Sequence, residues 1–446
     1  MILNLKNKNI VNYIIYFFPI LLITGPALPD LSLTIISIFF LYSVIKNNQF
    51  YLLNETWFKI GIILWIWFLF ISFFAQNKYL SFIDASIFIR YLIYILAIQN
   101  FIILNEKIRN KIFKFIFLTL IFIVLDSLYQ FLNYKPEIGF YKDLLGRTPD
   151  GLYARLSGPF KDLVPGSVIT KFFFISLLYI LIIEKKIKFI LMIIILPLSI
   201  NMVYFSGERV ALLTLGLGLI PTILFLKEFR KMLIISSIMS IFMVIFFTNL
   251  HPIYKNYKII ESSSKHEGLI IEKKIDCADL TEKNCTKTFF VQPDLITILK
   301  DFKNSAYGEI YLTAIKMWQD NKIFGIGLNN YKFVCDNEKK YKKFHPNYGC
   351  ASHPHNFFIQ AVVESGFIGL SIFMILVLSF FVTIKKSNQN IIYKILFAIT
   401  LLTIFWPIMS TGSFLKNWHM CIISFILGIC LSDYNRNKIK NLKYLN

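Results

Sequence analysis

The change from a polar loop to an apolar helix occurs within SHPHNFFIQAVVESGFIG, residues 352–369. Two histidines lie ahead of Phe357, and a long, mostly apolar stretch follows it. A polar segment needs water whereas a long apolar helix needs lipid, so we expect His355 to lie near the surface of a bilayer. That is a suitable position for acting on a substrate that has a lipid tail and a water-soluble head.

The composition of the whole chain also indicates a membrane protein. Its 446 residues are 56% hydrophobic and include 46 Phe, which is more apolar surface than a soluble protein can use, because a soluble exterior must stay wet. The net charge of +21 can indicate nucleic-acid binding, but no basic run is interleaved with aromatic residues in a soluble module. We therefore expect the basic residues to orient membrane spans, and we predict no nucleic-acid partner.

Hydropathy predicts an all-α polytopic fold with about twelve spans. A span needs about 20 apolar residues to cross a hydrocarbon core about 30 Å thick. Lys6 and Lys8 make the first span look like a signal peptide, but its removal would upset the orientation of the others, so we interpret it as retained. Several spans contain Gly or Pro, and tilts and breaks are expected there. The predicted spans are 9–26, 31–46, 57–75, 81–103, 112–132, 164–183, 187–205, 209–226, 231–249, 355–384, 391–410 and 415–433.

Basic residues on alternate connectors predict how the spans are oriented. By the positive-inside rule, the side that carries them is cytoplasmic, and both termini lie on that side. The other connectors then face out, so Arg209 and His355 are expected to emerge on the same outer face. The basic connectors lie at residues 46, 107–114, 185–188, 227–231, 385–386 and 436–443.

This topology divides the chain into three parts. Residues 1–249 hold spans 1–9, with a medium outer loop at 133–163. Residues 250–354 form a large outer loop between spans 9 and 10, and residues 355–446 hold spans 10–12 and a cytoplasmic tail.

The large outer loop is predicted to have structure of its own. Residues 311–319 favour a short amphipathic helix ahead of a turn at Gly325-Ile326-Gly327. Four of the six cysteines lie in the loop, and an oxidising outer compartment favours disulfides over the alternative of free thiols. Pairing the first two and the last two is one of three connectivities. The four are Cys277, Cys285, Cys335 and Cys350.

His355 is the candidate general base. The unperturbed pKa of histidine, about 6.5, suits the removal of a proton from a sugar hydroxyl. The alternative is a structural histidine that caps the helix after it, and His353 is interpreted as an ordinary loop histidine. A zinc site made of Cys350, His353 and His355 is conceivable from the ligand types, but a disulfide at Cys350 is preferred, so no metal is predicted.

Arginines are the candidate ligands of a diphosphate. Arg209 opens the eighth span from the outer side, where the positive-inside rule makes a cation less expected. A guanidinium can pair with two phosphate oxygens, whereas a lysine acts as a point charge; the alternative is an interface arginine that reaches for water. Arg147 and Arg155 in the medium loop either bind further phosphate oxygens or are solvated, and Glu208 is a possible salt-bridge partner of Arg209.

Some charged residues fall well within predicted spans. Arg90, Asp84 and Asp126 should each face a partner or a cavity, because an intramembrane charge costs about 2.5 kcal/mol or more. No D-x-D motif, P-loop or G-x-G-x-x-G fingerprint is present. Neither a metal nor a nucleotide cofactor is therefore predicted.

Three sequence elements follow one another at the predicted membrane boundaries. Singly each is a weak signal, but the three in this order are more specific. They are Arg209-Val-Ala-Leu-Leu213, then Trp318 with Gly325-Ile-Gly327 and Asn330-Tyr331, then His355-Asn356 with Gly366 and Gly369.

These elements resemble the R-x3-L, W…GxG…NY and H-[NSQ]-x9-G-x2-[GTY] patterns of bacterial O-antigen ligases. The wider family includes O-antigen polymerases and protein O-oligosaccharyltransferases. The segment from Arg155 to Gly158 is also similar to an arginine-glycine segment of that family. The resemblance extends over roughly residues 200–430 by motif.

The resemblance implies an inverting glycosyltransferase of the GT-C type in the bacterial inner membrane. It would move a glycan from undecaprenyl diphosphate to the lipid A-core of lipopolysaccharide on the periplasmic face, without a metal. His355 would be the base, Arg209 with Arg155 or Arg147 would stabilise the leaving diphosphate, and the rest of the histidine motif would support them. The alternatives are an O-antigen polymerase, a protein O-oligosaccharyltransferase and, outside enzymes, a transporter.

Overall fold

The computed structural model describes the helices and most of the connectors between them. The described part of the chain comprises residues 5–103, 106–135, 139–149, 155–161, 164–183, 185–251, 269–275, 285–291, 300–344, 348–409 and 412–433.

Helices dominate the described residues. In chain order the elements are α1 (Leu5–Leu21), α2 (Ala27–Lys46), α3 (Thr56–Ser72), α4 (Lys78–Ile103), α5 (Glu106–Leu132), α6 (Pro165–Ile182), α7 (Lys185–Phe205), α8 (Arg209–Phe225), α9 (Lys227–Leu250), β1 (Leu269–Ile275), β2 (Cys285–Val291), α10 (Ala306–Asp320), α11 (Tyr331–Asn337), α12 (Lys339–Lys342), α13 (Phe357–Lys386), α14 (Ile391–Ile404) and α15 (Asn417–Cys430).

A helix covers each of the twelve predicted spans. Among the described residues, six helices are long and apolar enough to cross a membrane: α2, α4, α5, α6, α9 and α13. Shorter apolar helices occupy the other six predicted segments. The prediction of a helical, polytopic membrane protein is confirmed.

A break occurs at a glycine, as predicted, whereas three prolines lie inside helices that continue past them. Pro19 lies inside α1, Pro197 inside α7 and Pro221 inside α8. In α13 the backbone leaves the helical conformation at Gly366, where φ is 69° and ψ is −174°. A membrane helix tolerates such a break only where other groups satisfy the freed backbone atoms.

The chain packs as two compact units. The first comprises residues 1–115 and 306–446. Within it, α4 contacts α2, α3 and α15, and α3 also packs against α13. Trp57 and Phe68 on α3 and Tyr94 on α4 are fully buried in this unit.

Arg90 and Asp84, the two predicted intramembrane charges of the first unit, have polar partners, as predicted. Arg90 on α4 forms a salt bridge of 2.9 Å with Asp30 on α2, and its Nη2 donates to Asn417 Oδ1 at 2.8 Å. Asp84 accepts a hydrogen bond of 2.6 Å from the side-chain amide of Asn329. These contacts offset the cost of placing the two charges within spans.

The second unit comprises residues 116–305. In it α7 contacts α6, α8 and α9, and the phenylalanines at 172–174 of α6 are fully buried. The end of α5 holds the medium loop, because Gln130 Oε1 accepts from the backbone N–H groups of Ser157 (2.9 Å) and Gly158 (3.0 Å). Asp126 is fully buried and accepts the backbone N–H of Leu144 at 3.0 Å, so this charge also has a partner.

The large loop adds one element that the all-α prediction did not include. Strands β1 and β2 pair antiparallel, with Leu269 opposite Val291 and Ile275 opposite Cys285. The predicted helix at 311–319 is confirmed as part of α10, which begins earlier, at Ala306. Cys335 and Cys350 form the predicted disulfide, whereas the predicted partner of Cys285, Cys277, lies outside the described residues.

Candidate active site

His355 lies in the turn immediately before α13. Its φ of 54° is a left-handed backbone conformation, which is uncommon for a non-glycine residue and costs free energy. The helix cap is Asn356: its Oδ1 accepts from the backbone N–H groups of Phe358 (2.9 Å) and Ile359 (3.2 Å). Its Nδ2 donates to the Pro407 carbonyl at 2.8 Å. The capping role considered for His355 therefore belongs to Asn356.

His353 packs against His355. The two ring centroids are 4.0 Å apart, and the rings are tilted by 40°. His353 is 4% exposed, and its Nδ1 lies 2.8 Å from Ser352 Oγ. Sequence reasoning treated His353 as an ordinary loop residue, but the turn brings it beside the candidate base.

Two tyrosines of α10 approach the same turn. The Tyr307 ring lies edge-on to His355 at 5.9 Å, and the Tyr311 ring lies 6.3 Å from that of Tyr307. The Tyr311 hydroxyl donates to the Met409 carbonyl at 2.7 Å, and burial raises its pKa to about 12. Tyr311 therefore remains a protonated donor near neutral pH and does not compete with His355 as a base.

A segment of the large loop binds to α13 at the break at Gly366. The backbone N–H of Ile326 donates to Val363, that of Gly327 donates to Glu364, and Phe367 donates to Lys322, all at 2.9–3.0 Å. A Cβ at Gly366 would overlap the Ile323 carbonyl. The spacing of the histidine motif thus places its first glycine where α13 opens to bind the loop.

Glu364 anchors the rest of the loop motif to the broken helix. Glu364 is 1% exposed, and its carboxylate accepts from Gln360 Nε2 at 3.0 Å and from the backbone N–H groups of Asn329 and Tyr331. Gln360 Nε2 also donates to Ser413 Oγ at 2.8 Å. Several hydrogen bonds satisfy this buried polar group, which otherwise would be costly.

Asn330 and Tyr331 join the loop to other parts of the first unit. Asn330 is fully buried and its Oδ1 accepts the backbone N–H of Asn77, in the connector between α3 and α4, at 2.9 Å. The Tyr331 hydroxyl lies within 3.0 Å of the Ile310 carbonyl and 2.6 Å of the Gly349 carbonyl. The NY pair thus holds the segment that leads into the histidine turn.

The disulfide fixes the same segment covalently. Cys335 on α11 is fully buried among Met317, Val334 and Tyr341, and it is bonded to Cys350, just ahead of the histidine turn. In the disulfide, Cys350 is not a thiolate, so the conceivable zinc site with His353 and His355 has no sulfur ligand here.

We expect Cys335→Ala combined with Cys350→Ala to lower the free energy of unfolding by about 3 kcal/mol. The bonded residues are 15 apart, and closing a loop of that length restricts the unfolded chain by about this amount. Chemical denaturation with and without reductant measures the effect. Reductant should destabilise the natural protein by more than it destabilises the double variant, and full alkylation of Cys335 and Cys350 without reductant would contradict the disulfide.

In the second unit, Glu208 interacts with one of the candidate phosphate ligands, Arg155. Its carboxylate accepts from the backbone N–H groups of Gly166 (2.7 Å) and Ser167 (3.1 Å) at the start of α6. Arg155 and the buried Lys171 are the cations that act on it electrostatically. Sequence reasoning considered Glu208 only as a partner of Arg209 and missed Lys171, which is hidden within an apolar span.

The three predicted arginines differ in their surroundings. Arg209 is the first residue of α8 and is half-buried. Arg155 Nε donates to the Ser206 carbonyl at 3.2 Å, next to Gly207, whose φ is 72°. Arg147 donates to the Pro159 carbonyl, and this contact holds the medium loop together. His355 belongs to the first unit and the three arginines to the second.

Residues 192–374 match the family model for the O-antigen ligase. This region of the chain is similar to an O-antigen ligase domain. The match spans α7 to the middle of α13, and no curated protein matches the chain at a significant level. Arg209, the loop motif and the whole histidine motif lie inside the O-antigen ligase domain, whereas Arg147 and Arg155 precede it.

The motif residues of the O-antigen ligase domain have separable structural roles. Asn356 caps α13, Gly366 opens it, and Gly369 lies where an added Cβ would approach the indole nitrogen of Trp67 to 3.0 Å. Asn330 and Tyr331 join the loop to the helices. These residues fix the loop and the helix that lie on either side of the turn containing His355.

Proposed function

We propose that the chain is an O-antigen ligase of the GT-C type with twelve membrane spans in the bacterial inner membrane. It moves a glycan from undecaprenyl diphosphate to the lipid A-core on the periplasmic face. The observation that carries the proposal is the placement of His355, in a strained and capped turn at the entry to α13 within the O-antigen ligase domain.

In the proposed reaction His355 accepts the proton of the acceptor hydroxyl. The acceptor oxygen forms a bond to the anomeric carbon while the bond from that carbon to the diphosphate oxygen breaks. The diphosphate leaves with the electron pair, and Arg209, Arg155 and Arg147 stabilise its charge. Attack opposite the leaving group inverts the anomeric centre. Since the lipid diphosphate is already activated, the reaction needs a base and cations rather than a metal.

Deleting the gene and separating the lipopolysaccharide on a gel tests this function. Loss of a ligase leaves bare lipid A-core while lipid-linked polymer accumulates. Loss of a polymerase leaves core that carries one repeat unit, and loss of a protein O-oligosaccharyltransferase leaves lipopolysaccharide unchanged but removes glycan from protein. A normal gel and normal glycoproteins would contradict every glycosyltransferase assignment and favour a transporter.

We expect residue 186 to lie in the cytoplasm and residue 303 in the periplasm, because basic connectors alternate along the chain. Alkaline phosphatase fused at 303 should be active, and the same enzyme fused at 186 should be inactive. Fusions at 46 and 76 are the matched pair for the first spans. The reverse activities would overturn the proposed topology and with it the shared outer face of Arg209 and His355.

We expect Arg209→Lys to lower the rate of transfer by about 10²-fold, because a lysine cannot reproduce a planar fork on two phosphate oxygens. Arg230→Lys is a matched control, since Arg230 donates to the backbone carbonyls of Ile223 and Leu224 at the opposite end of α8. Both variants are assayed with purified protein and lipid-linked donor. Equal rates for the two variants would show that Arg209 contributes only its charge and not the geometry of its guanidinium group.

A further inference from the structure

A group of exposed lysines stands out on the part of the loop that packs on the first unit. We define the lysine surface as Lys322, which follows α10, together with Lys339, Lys342 and Lys343 around α12; all four are exposed. Lys340 binds Asp320 at 2.9 Å and so ties α12 to the end of α10.

The neighbouring carboxylates do not neutralise this surface. Lys340 binds both Asp320 (2.9 Å) and Glu338 (3.3 Å), and Lys316 also lies 3.7 Å from Asp320. These acids therefore have cations of their own. The four residues of the lysine surface keep their positive charge available for an external anion.

Contacts with a short helix connector place this surface beside the bilayer. Gln76 Nε2 donates to Glu338 Oε1 at 2.5 Å, and Glu338 directly precedes α12. Gln76 lies between α3, which ends at Ser72, and α4, which begins at Lys78. A connector this short between two membrane helices lies at the membrane surface, so Glu338 and α12 lie there too.

Apolar side chains accompany the lysines at this boundary. Phe324 stacks on Trp67 at 5.9 Å and on Phe74 at 5.6 Å, at the end of α3. Ile323 is 57% exposed next to Lys322, and Phe344 is 46% exposed next to Lys343. Lysines that alternate with exposed apolar and aromatic residues are typical of segments that lie in the interface of a bilayer.

We propose that the lysine surface binds the phosphate groups of anionic phospholipids, with Ile323, Phe324 and Phe344 contacting the acyl boundary below them. Charge and position favour this partner: clustered lysines next to a membrane are attracted to anionic headgroups. Bound in this way, α12 holds the loop to the bilayer. Because α11 precedes α12 and is bonded through Cys335 to Cys350, this contact also keeps the histidine turn at the lipid surface.

The proposal concerns membrane contact and does not depend on glycosyl transfer, so it is tested without substrate. The full chain is reconstituted into nanodiscs that contain photoactivatable phosphatidylglycerol or photoactivatable phosphatidylcholine in the same neutral lipid. Crosslinks are mapped by mass spectrometry to the peptide around residues 338–344. We expect phosphatidylglycerol to crosslink at least about fivefold more than phosphatidylcholine, because the attraction of a single surface lysine to an anionic headgroup gives a preference of this size. High salt should decrease this preference because it screens the charges.

The variant Lys339→Glu, Lys342→Glu and Lys343→Glu should abolish that preference. Its control is Lys385→Glu with Lys386→Glu, two exposed lysines at the far end of α13, which should leave it unchanged. An intact Cys335–Cys350 disulfide and an unchanged thermal transition show that the variants fold. Equal crosslinking by the two lipids, or a triple variant that keeps the preference, would overturn the proposal.

Discussion

His355→Ala is expected to lower glycan transfer by about 10²–10⁴-fold while the protein still inserts into the membrane. General-base catalysis contributes a factor of this size, and alanine has no group that accepts the proton of the acceptor hydroxyl. Asn356, not His355, caps α13, so the helix should survive the change. The loss should fall on the catalytic rate constant rather than on donor binding.

His355→Asn separates the chemical role from a structural one. His355 adopts φ 54°, and asparagine adopts this left-handed conformation more readily than most residues do. If His355 only shapes the turn, asparagine should restore transfer; if it is the base, asparagine should be as inactive as alanine. Near-normal turnover by either variant would contradict the assignment of His355 as the general base.

The natural protein and the His355 variants are assayed as purified proteins with lipid-linked donor and lipid A-core. Each protein is assayed with and without a chelator. We expect the chelator to have no effect on the natural protein. Activity that is lost in chelator and restored by added metal would show that a metal takes part and would contradict the proposed mechanism.

Gly366→Ala is expected to destabilise the first unit by at least about 3 kcal/mol, enough to prevent a normal loop from forming in a marginally stable protein. Gly366 has φ 69° and ψ −174°, a backbone region that is essentially restricted to glycine. The added methyl group would also overlap the Ile323 carbonyl. The overlap is relieved only if the loop moves away from the break, and the backbone N–H of Phe367 would then lose its hydrogen bond to the Lys322 carbonyl.

Gly216→Ala on α8 is the matched control, because an added Cβ at Gly216 meets nothing within 4 Å. In a helix interior this change should be neutral or slightly stabilising. Thermal unfolding in detergent and the yield of the Cys335–Cys350 disulfide measure both variants. A Gly366→Ala protein that behaves like Gly216→Ala would show that the break in α13 is not needed for the fold.

The helices themselves could be predicted from sequence. Hydropathy located every segment that became an apolar helix, because a stretch buried in lipid must satisfy its own backbone groups and becomes helical wherever it is apolar enough. The amphipathic helix around residues 311–319 was predicted for a similar local reason, and the pairing of Cys335 with Cys350 was one of few possibilities. Each of these features depends on residues that are close together in the chain.

The surroundings of the candidate base depend on contacts between residues far apart in the chain. The sequence indicated His355 and the glycines of its motif. It did not indicate that residues 322–327 hydrogen-bond to α13 at the break, or that Glu364 accepts hydrogen bonds from the backbone of Asn329 and Tyr331. It likewise treated His353 as a loop residue, although the left-handed turn packs it against His355. Hydropathy carries no information about which loop binds at which helix break, because the groups that hydrogen-bond there are close in space but far apart in the chain. Only the tertiary structure decided which groups are partners.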